Sequence, residues 1–116
     1  MNIKKLLATA GLTIAMLSVA SSALASPVTT SKNSSGQGFT KSWELVASGP
    51  SWIMEYGFNK FAIDEDYVHT KHSGVSHTAL LSNGSNYSNS ANAGNWAEVD
   101  VSHQGTYVTY SIVYTP

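Results

Sequence analysis

The chain has 116 residues, 42% of them hydrophobic, a net charge of −1 with histidines neutral, and no cysteine. Without cysteine no disulfide can brace a small core, so the chain must pack its aromatics well, bind something, or self-associate. Arginine is absent and lysine sparse, which argues against nucleic acid as a partner and against attraction to anionic membrane surfaces.

Met1-Asn2-Ile3-Lys4-Lys5 is a basic start, Leu6 to Ala20 an apolar run, and Ala23-Leu24-Ala25 a small-x-small ending. Together they predict a secretory signal peptide over 1–25, its apolar run shorter than the roughly 20 residues of a membrane span. No later segment is long and apolar enough to span, so the expectation is a secreted, extracellular protein without stable membrane insertion. Cleavage leaves four lysines (Lys32, Lys41, Lys60, Lys71) against seven acids, a net charge of −3.

Residues 26–50 read as a Ser/Thr/Gly-rich N-terminal extension. Its first part, Ser26 to Gly38, is small and polar with nothing to bury, and is expected to be disordered. Phe39 to Ala47 alternates imperfectly as a strand, interrupted by Lys41 among the apolar positions, and Ser48 to Ser51 is a turn. From residue 51 to 116 the chain reads as an antiparallel β domain. Trp52 to Phe58 is β-prone, with Gly57 marking a bulge or a close backbone approach. Asp64-Glu65-Asp66 is an exposed acidic loop. Tyr67 to His72 and Val75 to Ser82 read as a strand and its return about a tight turn at Ser73-Gly74. Asn83 to Gly94, dense in Asn, Ser and Gly, reads as a loop.

The clearest alternation comes last. Ala97, Val99 and Val101 oppose Trp96, Glu98 and Asp100, and after Gln104-Gly105 Val108, Tyr110, Ile112 and Tyr114 oppose Tyr107, Thr109, Ser111 and Val113. These two runs predict a hairpin with one buried face. No segment after the signal has helical periodicity. The fold class is therefore all-β, a small antiparallel β-sandwich of two sheets with about six short strands.

Tyr67 to Ser76 gathers His69, Lys71 and His72 beside an aromatic, and His77 follows. The strand period of two puts Tyr67, His69 and Lys71 on one face and His72 on the other. That stripe could meet a phosphate or a sugar, since lysine offers a point charge and imidazole a donor. Zinc at His69, His72 and His77 is the competing idea, but the spacing fits no established zinc motif, and no metal or cofactor is expected. Catalysis is not expected either. There is no G-x-S-x-G and no phosphate-cradling loop, and Asp64, Glu65 and Asp66 read as a solvated face.

The order of landmarks carries a resemblance. Trp52 precedes Tyr56-Gly57; Tyr67-x-His69 and Lys71-His72-Ser73 follow; then come Gly94-Asn95-Trp96-Ala97 and the aromatic end Tyr107 to Tyr114. This resembles the lactococcin 972 family of secreted bacteriocins over Ser51 to Pro116. The resemblance implies a two-sheet β-sandwich that pairs as a homodimer. It also implies a non-enzymatic antibacterial role against related Gram-positive cells, blocking septum formation through the lipid-linked wall precursor without forming pores. The candidate target-binding residues are Trp52, Tyr56, Tyr67, His69, Lys71, His72 and Trp96. Aromatics of this kind also stack on pyranose rings, so a carbohydrate- or wall-binding module without killing activity is the alternative, with core packing preferred for Trp52.

Overall fold

The computed structural model describes residues 25–116, so all of the expected signal peptide except Ala25 lies outside the described residues. Eight strands build two antiparallel four-stranded sheets packed face to face as a β-sandwich, two strands more than the alternation alone suggested. In the first sheet the order is β1-β8-β5-β6, with β1 Val28–Asn33, β8 Thr109–Tyr114, β5 His77–Ser82 and β6 Asn86–Ala91. In the second it is β2-β3-β4-β7, with β2 Trp43–Ser48, β3 Trp52–Asn59, β4 Glu65–His72 and β7 Trp96–Ser102.

Both additional strands come from segments read as irregular. β1 lies in the segment expected to be disordered, and it runs along β8 from Val28↔Tyr114 to Asn33↔Thr109. Backbone ladders need no apolar side chain, which is why a polar segment can pair. Its end is fastened by Ser34, buried, whose amide donates to the Val108 carbonyl (3.0 Å) and whose Oγ accepts from the Val108 amide (2.9 Å). Among the described residues the folded unit therefore reaches back to β1, ahead of residue 51. Phe39 and Trp43 belong to it as well: Phe39 stacks on His103 with ring centroids 4.2 Å apart, and Trp43 meets Tyr110 edge-on at 6.1 Å. Lys41 precedes β2 and is exposed, so it never breaks the strand. β6 lies in the segment read as a loop and pairs with β5 from His77↔Ala91 to Ser82↔Asn86, turning at Gly84 with φ 107°.

Both expected hairpins are crossovers between sheets. β4 pairs with β3 and β7, whereas β5 pairs with β6 and β8. The turn between β4 and β5 wraps the His72 ring, whose Nδ1 accepts from the Gly74 (3.0 Å) and Val75 (3.2 Å) amides. Likewise β7 and β8 sit in different sheets. Each run still buries the face that its alternation marks, because burial period and strand pairing are separate properties.

The core lies between the sheets: Met54, Tyr56, Val68, Ala79, Leu81, Ala97, Val99, Val108, Tyr110 and Ile112. Gly57 is the close approach expected from sequence. A Cβ there would collide with the Trp43 carbonyl oxygen and lie 3.0 Å from the Tyr67 hydroxyl. At one end of the sandwich the fully buried Asp66 accepts from Asn83 Nδ2 (2.9 Å) and pairs with His103 Nδ1 (2.8 Å). Asp66 is thus a core residue, unlike the solvated loop acid expected. Among the described residues no helix is long and apolar enough to cross a membrane.

Candidate functional site

The outer face of the second sheet collects the polar chemistry. Registers across β2, β3, β4 and β7 set it out in rows. Glu44, Gly57, Tyr67 and Asp100 form one; Val46, Glu55, His69 and Glu98 the next; Ser48, Ile53, Lys71 and Trp96 the third. Tyr67, His69 and Lys71 share this face because they alternate with the buried Val68 and Thr70. Trp96 joins them from β7, where it alternates with the buried Ala97.

Four of the seven candidate residues therefore come together: Tyr67, His69, Lys71 and Trp96. Trp52, Tyr56 and His72 point the other way. Tyr56 is core, His72 is buried with its ring 4.5 Å from that of Tyr114, and Trp52 packs against the core cluster. The three histidines weighed for zinc also separate, since His77 is buried with its Nε2 donating to the Thr70 carbonyl (3.1 Å) while His69 faces outward.

The acids of this face were missed as site residues. Glu44, Glu55, Glu65, Glu98 and Asp100 surround the stripe, Glu65 standing on β4 itself two residues before Tyr67. The alternation of β7 placed Glu98 and Asp100 beside Trp96, but the assumed β7–β8 hairpin gave no reason to set them against β4. Their effect is electrostatic. His69 Nε2 is 2.8 Å from Asp100 Oδ1. Lys71 Nζ stands over the Trp96 ring, 5.6 Å from its centroid. The Tyr67 hydroxyl is held protonated well above the ordinary tyrosine range, first by burial, then by the neighbouring Glu44 carboxylate and the charges of Glu55 and Asp100.

An open depression of about 430 Å³ lies at the Tyr67 end, lined by Trp43, Glu44, Asn59, Tyr67, His69 and Asp100 among others. A second of about 360 Å³ lies beside Lys71, between Pro50, Trp52, Ile53 and Ser73. A bare anion approaching this face meets the five carboxylates of Glu44, Glu55, Glu65, Glu98 and Asp100 against the Lys71 ammonium, which opposes the phosphate half of the expectation. A neutral sugar meets acceptors (the carboxylates), donors (Tyr67, Lys71) and an aromatic platform (Trp96). Comparison of the chain with family models, curated proteins and solved structures gave no match.

Proposed function

We propose that this chain is a secreted, non-enzymatic antibacterial protein of the lactococcin 972 type. It binds a cell-envelope component of related Gram-positive bacteria and so blocks septum formation. The observation that supports this reading best is the convergence of Tyr67, His69, Lys71 and Trp96 on one open sheet face, flanked by two depressions. An exposed aromatic beside hydrogen-bonding groups suits a ligand with both an apolar ring face and hydroxyls. The glycan portion of a lipid-linked wall precursor has both, and the carboxylates on this face favour that portion over the phosphate.

A second copy of the chain would pair along β2, an edge strand whose Leu45 (40% exposed) and Val46 (57% exposed) stay uncovered in the single chain. The same acidic face favours a second reading, a wall-binding module without killing activity, because neutral glycan suffices as its ligand.

The experiment is to add purified Ser26–Pro116 to growing Gram-positive cells and record growth, cell shape and membrane potential. Arrest with failed septa and intact potential is the expected result. Unimpaired growth with the protein bound to isolated walls would transfer the assignment to the passive module, and neither effect would overturn both.

A further inference from the structure

The outer face of the second sheet carries a second set of side chains, beside the Lys71–Trp96 pair, whose chemistry is different. His69, Glu98 and Asp100 present ligand atoms that all lie within 4.8 Å of one another. The register explains the grouping. Glu98 stands directly opposite His69, Asp100 stands one row away opposite Tyr67, and their spacing of two on β7 gives them the same face. Glu55 flanks His69 on the other side, in the same row.

We propose that His69, Glu98 and Asp100 form a binding site for one divalent first-row transition ion of the zinc type. One imidazole nitrogen with two carboxylate oxygens is a ligand set that such ions accept, and the imidazole selects them over magnesium and calcium, which take oxygen. Bonds of about 2.0–2.2 Å to a shared ion require ligand atoms roughly 3.3 Å apart. His69 Nε2 and Asp100 Oδ1, now 2.8 Å apart, open slightly, and the exposed Glu98 closes by side-chain rotation. The ion replaces the proton that His69 and Asp100 share. It also offsets the repulsion among Glu55, Glu98 and Asp100. Three protein ligands leave a fourth position open to water or to an oxygen of a bound molecule. The site stands on β4 and β7, whose ladder fixes the ligand backbones, and it does not depend on whether the protein kills cells.

The test is calorimetric titration of Ser26–Pro116, which contains both sheets entire, with zinc chloride and separately with calcium chloride. His69→Ala and the double variant Glu98→Gln/Asp100→Asn are titrated beside it, with folding followed by circular dichroism. One equivalent of zinc in the micromolar range is expected, weakened at least about tenfold in either variant, with calcium much weaker. If a variant fails to fold, the ring resonances of His69 in the wild-type chain decide: zinc must shift them ahead of those of His72, His77 and His103. Absence of zinc binding, unchanged affinity in His69→Ala, a first shift at another histidine, or calcium binding as tight as zinc would each overturn the site.

Discussion

Gly57 has no room for even a methyl group, since a Cβ would strike the Trp43 backbone of the neighbouring strand. Gly57→Ala is therefore expected to lower stability by about 1–3 kcal/mol, the usual cost of overfilling a packed region, read from urea unfolding. A residue on the inner face of β4 behaves oppositely. Thr70 is fully buried, and its Oγ1 has no hydrogen-bond partner among the described residues. Thr70→Val keeps the shape and removes an unpaired hydroxyl, so it is expected to be neutral or to stabilise by about 1 kcal/mol. A loss of stability in that variant would mean that the hydroxyl is partnered in solution. Asp66 carries more, because it holds both Asn83 and His103 inside the sandwich. Asp66→Ala is expected to cost about 3 kcal/mol or more, as removing one partner of a buried pair strands the others. On the outer face, Lys71→Ala with Trp96→Ala removes a cation–aromatic pair that lies outside the core cluster. Folding should be kept, while affinity for isolated walls falls at least about tenfold, which corresponds to about 1.4 kcal/mol.

Among the elements, the runs with strict alternation could be read from sequence: β7 and β8 bury the faces that Ala97-x-Val99 and Tyr110-x-Ile112 mark, and β4 places Tyr67, His69 and Lys71 together. What sequence did not yield was pairing. A short turn between two alternating runs looks the same whether the strands pair or the chain crosses to the facing sheet. His72 is instructive here, since its imidazole accepts two turn amides and so serves the crossover itself. The polar strands β1 and β6 were illegible for a related reason. Their contribution is a backbone ladder, and only Val28, Thr30, Tyr87 and Ala91 within them are even half-buried. Because β4 was not known to lie beside β7, the carboxylates that define the site could not be placed against His69. Removal of residues 26–34 tests β1 directly: it would uncover the β8 edge and free the Val108 amide, so aggregation or a marked loss of unfolding cooperativity is expected.

For the molecule as a whole, stability in alkali follows from its tyrosines. Tyr110 and Tyr67 are pushed well above the normal tyrosine range and Tyr56 upward, in each case chiefly by burial. A group raised in the folded state contributes stability that is full below its unfolded value of about 10 and is lost as pH rises past it. The melting midpoint should accordingly hold up to pH about 10 and fall beyond it, with the phenolate absorbance of these three tyrosines rising only as the chain unfolds. The proposed function rests, at this scale, on an open, acidic sheet face with Lys71 and Trp96 at one end. The measurement that tests this most directly compares wild-type Ser26–Pro116 with the Lys71→Ala/Trp96→Ala variant on growing Gram-positive cells and on their isolated walls. Growth arrest and wall binding by the wild type, both lost in a folded variant, are the predicted result. Equal activity of the two proteins would contradict the assignment of this face as the contact surface.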